Sequence, residues 1–398
     1  MNTDDLLLPP RAVLLHIGPH KTGTTALQGA LRLARPELKK HDVVYAGRER
    51  QHMFAALAVT GGKGLLGDPR MEMRHWDRLV RQVNRARDKR VVVSSEFFDG
   101  ADDDTARKVV DELGGSRVHV VITLRPLAKI MPSAWQQYVR NRLRATYNDW
   151  LEAMLRRPPY VQPTTTFWKR HHHDVLVERW VQTVGPDNLT VIVVDESDRN
   201  MLTRTFEQML GLPPGLLVPE TGWMNRSLTL GEIELVRLLN VEFKQRGWTD
   251  VAYKQFVRLG VVRQLQAARR PEPGEPQIVT PKWALERAAE IGAEAARRIE
   301  KTGARIIGDI STLGLGPRGD EPEDISADVP VLPSSAAVQA VIGAVIVGGG
   351  GAVAPDSVVQ PQLPASAEDR PVRDIGTREL ARVLGQRVRA RVAPGRSR

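Results

Sequence analysis

Leu14-Leu15-His16-Ile17-Gly18-Pro19-His20-Lys21-Thr22-Gly23-Thr24-Thr25-Ala26-Leu27-Gln28 is the stretch that decides how this chain is read. Ala12 to Ile17 form an apolar strand, and Gly18, Pro19 and Gly23 occupy a short loop. Ala26, Leu27, Ala30 and Leu31 then recur at helical spacing. A strand, a glycine-bearing turn and a helix N-terminus make an anion cradle. Backbone N–H groups and the positive end of the helix dipole converge on one phosphate, and Lys21, Thr22, Thr24 and Thr25 add donors. The order of residues excludes the nucleotide-hydrolysing version of the cradle. The G-x-x-x-x-G-K-[ST] loop carries its lysine after the second glycine, beside a hydroxyl that holds magnesium. Here Lys21 precedes Gly23.

Outward from this stretch, strands and helices alternate. The spacing predicts strands at Val13–Ile17, Asp42–Tyr45, Val91–Ser94, Val118–Leu124 and Thr190–Val194, and helices such as Thr24–Leu33, Ala106–Leu113 and His173–Val184. Near-continuous apolar strands separated by helices imply a three-layer α/β/α fold with a central parallel sheet, and ligands then gather at the carboxyl ends of the strands. Lys21, Glu96 and Arg125 each follow such an end. Thr229-Leu230-Gly231-Glu232 reads as a capping box. Thr280-Pro281 opens a long helix that fades near Gly308, with proline at its first position.

The string His16-x-Gly18-x-x-Lys21-Thr22-Gly23-Thr24-Thr25-x-x-Gln28 resembles the 5′-phosphosulfate loop of bacterial sulfotransferases that use 3′-phosphoadenosine-5′-phosphosulfate (PAPS). Relatives hold the 3′-phosphate with an arginine at the end of a later strand and a serine eight residues on. Arg125 and Ser133 stand in that relation after Val118–Leu124. The resemblance implies a P-loop-like α/β fold and PAPS as donor, with no metal required. It also implies that Lys21 meets the charge developing on the leaving group. Gly18, His20, Thr22, Gly23, Thr24 and Thr25 would surround the 5′-phosphate. Trp223-Met224-Asn225-Arg226-Ser227 is similar to a late nucleotide-binding loop, which would bring Arg226 and Ser227 to the 3′-phosphate. For the general base, Glu96 is the first candidate because it follows a buried strand and precedes Phe97 and Phe98, where burial raises a carboxyl pKa. His52 is second and Glu49 third. Two other classes fit less of the chain. A small-molecule kinase would use Asp195 or Glu196 for metal, and a non-catalytic nucleotide-binding scaffold would use the C-terminal tail.

Composition agrees. The chain has 398 residues, 41% hydrophobic, with a net charge of +10. The charge suits a polyanionic donor, and without a zinc-finger or helix-turn-helix pattern it does not indicate nucleic acid. Absent cysteines exclude disulfides and thiol nucleophiles and suit a cytoplasmic protein, as does the acidic N-terminus. His171, His172 and His173 are consecutive, which splays them around a helix and suits packing better than a shared metal. Eight aromatic residues fall between Trp135 and Trp180 and suggest a cleft for a carbohydrate or glycolipid acceptor, with Trp135, Trp150 and Trp180 reading as core. The sulfotransferase domain is expected at 1–314. Residues 315–398 read as a flexible tail rich in Pro, Gly, Ala and Val, with a basic amphipathic helix at 377–392 that could touch a membrane surface.

Overall fold

Apolar runs that show no alternation must be covered on both faces, and the sheet is built from such runs. In the computed structural model, which describes residues 6–62, 70–219, 226–324 and 331–352, six parallel strands lie in the order β2-β3-β1-β4-β5-β6. They are β1 Val13–Ile17, β2 Val43–Tyr45, β3 Arg90–Ser94, β4 Val118–Leu124, β5 Leu189–Val193 and β6 Arg305–Ile307. Every residue of β1, β4 and β5 is buried. Val13 aligns with Val91 of β3 on one side and with Val118 of β4 on the other. The chain moves from β1 out to β2, returns to β3, and then crosses β1 to β4, β5 and β6. The strand order therefore reverses at β1, and a crevice opens beyond the carboxyl ends of β1 and its neighbours. The loop 18–23 enters that crevice.

Successive side chains of each strand feed opposite faces. Leu15, Ile17, Val93 and Ile122 pack with Trp76, Phe98 and Trp180 on one face. Leu14, Val92, Val121 and Ile192 pack with Leu27, Leu31 and Phe206 on the other. A third core lies among helices and joins Leu127–Val139, Tyr147–Leu155 and Leu230–Gln245 around Trp135, Trp150, Phe167 and Tyr253.

Trp135, Trp150 and Trp180 are buried as expected, and Tyr147 and Phe167, expected with the rest of the run to line an acceptor cleft, are buried too. Four of these rings hold the third core together, and Trp180 packs under the sheet. The polar tips of two of them are satisfied inside. The Trp150 indole donates to Thr164 Oγ1 at 2.9 Å, and Tyr147 Oη and Thr280 Oγ1 are 2.8 Å apart. His171 and His173 are buried as well. Among the described residues no group of three histidine or acidic side chains is placed to hold a metal ion.

Two further differences concern the chain after residue 280. The long helix runs over Lys282–Lys301 with Pro281 as its N-cap, one position earlier than expected. It stops before Gly303, and Arg305–Ile307 becomes the edge strand β6, paired with β5. The change in composition near Gly314 is also not where packing stops. Ser334–Gly348 is a helix lying against the wide π-helical turn Tyr253–Val262. Glycine permits the contact: a Cβ on Gly343 would sit 2.5 Å from the Gly260 carbonyl oxygen. Ala336 and Ala340 of this helix join the third core. Among the described residues no helix is long and apolar enough to cross a membrane. The amphipathic helix expected at 377–392 lies outside the described residues.

Candidate active site

The loop after β1 has the shape of an anion cradle for reasons that can be read residue by residue. A Cβ on Gly18 would stand 2.2 Å from Thr24 Cγ2 and 2.6 Å from Thr123 Oγ1, so the chain can fold back here only with glycine. Lys21 (φ 77°) and Gly23 (φ 85°) both adopt left-handed backbone, which turns the chain into the Thr24–Leu33 helix. Gly23 is the N-cap and brings no capping side chain, so the positive helix terminus faces the crevice. A left-handed lysine is strained by about 1 kcal/mol or more, and such strain concentrates at functional sites.

Beneath the loop a polar chain crosses three strands. Thr22 Oγ1 donates to the Pro19 carbonyl at 2.9 Å and meets Thr123 Oγ1 at 2.9 Å. Thr123 Oγ1 is 3.3 Å from His16 Nε2, and His16 Nδ1 is 2.8 Å from Ser94 Oγ. The Gln28 amide donates to Ser94 Oγ at 3.2 Å and to Glu96 Oε2 at 3.3 Å. One proton arrangement satisfies every link. Thr123 donates to Thr22, a neutral His16 donates from Nε2 to Thr123, and Ser94 donates to His16 Nδ1. Burial pulls the His16 pKa down to about 3, which keeps the ring neutral. Thr22 is therefore buried and spent inside the protein, and it does not face a ligand as the motif reading expected. The network ties the loop to the carboxylate of Glu96.

Glu96 follows β3 at the start of the turn Glu96–Gly100 and is half-buried. Burial raises its pKa, against the lowering effect of its own backbone amide and of the Gln28 and Gln51 amides. His52, the second candidate base, is fully engaged by backbone. Its Nδ1 accepts from the Ser94 N–H at 3.0 Å, and its Nε2 donates to the Ala46 carbonyl at 2.8 Å. Nδ1 also lies 3.1 Å from the Ser94 carbonyl, so both ring nitrogens are occupied by backbone. Glu49 and His52 line a separate small cavity with His75 and Gln82. His20 is buried edge-on against Phe97, with ring centroids 5.0 Å apart, and its Nε2 lies 3.9 Å from Asp99 Oδ2. It does not line the cleft described next.

That cleft, of about 350 Å³, opens over the loop and is lined by Lys21, Thr25, Ala26, Arg50, Ser133, Gln136, Arg140, Arg226, Ser227 and Gln266. The sequence thus brought five of the expected residues to one place, namely Lys21, Thr25, Ser133, Arg226 and Ser227. Two of them behave differently from expectation. The five N–H groups of Arg226 are directed at Glu232 Oε1 and Oε2 and at the carbonyls of Ser227, Leu265 and Arg269, all within 3.2 Å. Arg226 therefore builds the cleft wall and has no donor left for a phosphate. Ser133 donates back to the Ile130 carbonyl at 2.9 Å, which leaves its oxygen as the free end. Arg125 does not line the cleft at all. It is ion-paired with Glu196 and donates to the Lys21 carbonyl at 3.2 Å.

Lys21 and Arg140 are the cations of this cleft that have neither a hydrogen bond nor an ion pair among the described residues. Burial first, and then the nearby Arg140 charge, lower the Lys21 pKa to about 8, while Glu96 acts in the opposite direction. Burial and Arg258 lower Arg140 to about 10. An anion placed between these two desolvated positive charges would relieve their repulsion. Arg140 was missed in the sequence because it lies beyond the serine of the second motif and nothing local marks it.

No family model matches the chain, and no curated protein matches it. Among solved structures, the chain is similar to the crystal structure of a sulfotransferase from Alicyclobacillus acidocaldarius. The two are 20% identical, with a TM-score of 0.40, over 62% of this chain and 94% of that chain.

Proposed function

We propose that this chain is a sulfotransferase that moves a sulfuryl group from PAPS to a hydroxyl or amine acceptor. The observation that supports this most is the charge of the cleft over the loop: four cationic side chains and no carboxylate line it. Two of the four, Lys21 and Arg140, make no ion pair or side-chain hydrogen bond among the described residues. A polyanionic donor relieves their repulsion and is drawn in by the same field. The Lys-Thr-Gly-Thr-Thr order supplies the donor class, because it places the lysine at the front of the loop.

In the reaction, the acceptor oxygen or nitrogen attacks sulfur as the bond from sulfur to the bridging oxygen breaks, and adenosine 3′,5′-bisphosphate leaves. Negative charge grows on the bridging oxygen, and Lys21 is the cation positioned at the loop to meet it. One preorganised donor of this kind is worth about 3–4 kcal/mol. The acceptor proton passes to Glu96, whose carboxylate is held by Gln28 and whose burial raises its proton affinity. The network through His16 links Thr22, next to Lys21 in the loop, to the carboxylate of Glu96.

Thermal shift distinguishes this reading from a kinase or a scaffold. The expected result is stabilisation by adenosine 3′,5′-bisphosphate without magnesium. Stabilisation by ATP that depends on magnesium would instead indicate phosphoryl transfer. No response to either nucleotide would contradict both enzymes.

A further inference from the structure

We infer that Arg140 is the residue that distinguishes a donor carrying a second phosphoryl group from one carrying only the 5′-group. The inference rests on the sulfotransferase reading and names a residue that neither loop motif contains. Ser133, Gln136 and Arg140 stand at i, i+3 and i+7 along the Leu127–Val139 helix and its C-cap, so one helical face carries all three into the cleft. Gln136 is committed to Leu228, donating to its carbonyl at 3.3 Å and accepting from its N–H at 3.0 Å. Arg226 is committed to Glu232 and to backbone. On this face of the cleft, Arg140 is therefore the cation with charge to offer. Arg125 is neutralised by Glu196 and steadies the loop through the Lys21 carbonyl, which is a positioning contact.

The charges also divide the ligand. Lys21 belongs to the loop that takes the 5′-group, whereas Arg140 belongs to the facing helix. One anionic group beside Lys21 leaves Arg140 desolvated and repelled by Arg258. A ligand with two separated anionic groups relieves both positions, and a guanidinium fork suits a phosphoryl group.

Calorimetric titration of the full chain tests this with adenosine 3′,5′-bisphosphate and adenosine 5′-monophosphate. Arg140→Gln is expected to weaken the bisphosphate by about 10–100-fold and the monophosphate by less than about threefold. Arg140→Lys, which keeps the charge, should recover part of the loss, and it supplies the comparison if the glutamine variant does not fold. Arg125→Gln should weaken both ligands by similar factors, through the loop. Equal losses for the two ligands in Arg140→Gln, or a preference abolished by Arg125→Gln and not by Arg140→Gln, would overturn the assignment. If the wild-type chain itself shows no preference for the bisphosphate, the sulfotransferase reading fails and this inference falls with it.

Discussion

Replacing Lys21 by methionine should make the empty protein more stable while removing its activity. The lysine sits in left-handed backbone, largely buried, with Arg140 repelling it, and its pKa falls from 10.5 to about 8. A depression of that size corresponds to as much as roughly 3 kcal/mol at pH 7. The sign follows from proton binding. Between about pH 8 and 10.5 the unfolded chain holds this proton and the folded chain does not, so wild-type stability rises with pH across that window. Below it the full penalty is present. By the same linkage, the wild-type deficit relative to Lys21→Met should shrink from roughly 3 kcal/mol at pH 7 to roughly 1.4 kcal/mol at pH 9.5. Equilibrium urea unfolding of both proteins at the two pH values, in dilute chloride buffer without multivalent anions, measures this directly. Adenosine 3′,5′-bisphosphate at about 1,000 times the wild-type Kd should reverse the order at pH 7, because it adds roughly 4.1 kcal/mol to the protein that binds it. If Lys21→Met is no more stable than wild type at pH 7, or if the difference does not change with pH, Lys21 is not a desolvated, repelled cation and the reasoning about the cleft is wrong.

Other perturbations follow from the same geometry. The pH profile of kcat/KM should rise through the raised pKa of Glu96 and fall through about pH 8 as Lys21 loses its proton. Glu96→Gln should abolish the acid limb and lower turnover by ~10²–10⁴ with donor affinity unchanged. His52→Ala should cost about 1–3 kcal/mol in urea unfolding, because it leaves the buried Ser94 N–H without a partner and the Ala46 carbonyl with only the longer bond from Arg35, and the limbs of the rate profile should stay in place. Gly343→Val should lower the thermal midpoint by forcing apart the Ser334–Gly348 helix and the turn at Gly260; an unchanged midpoint would show that this helix does not dock in solution.

Much of the fold was legible because it depends on local pattern. β1 and β4 and the helices Thr24–Leu33 and His173–Val184 fall where their apolar periodicity places them, and Thr229 and Glu232 form both halves of the expected capping box. β6 was hidden because it has three residues and exists only through its pairing with β5. The packing of Ser334–Gly348 was hidden for a similar reason, since it turns on two glycines far apart in sequence. At the site, the loop residues could be read and their partners could not. His16 and Thr123 sit 107 positions apart and meet only because β1 and β4 are neighbours in register. The same holds for Arg125, where the motif gave the position and Glu196, 71 residues later, decides what the side chain does. Within the run of aromatics Trp135, Trp150 and Trp180 were legible as core, whereas Tyr147 and Phe167 were not, because composition does not say which face of a helix is covered.

The most direct test of the central claim is incubation of the purified chain with [35S]PAPS and a panel of hydroxyl- and amine-bearing acceptors, beside Lys21→Met. The expected result is acceptor-bound label with one adenosine 3′,5′-bisphosphate released per transfer, and a rate for Lys21→Met lower by ~10²–10³. No consumption of the donor by the wild-type chain, or equal consumption by the variant, would contradict it.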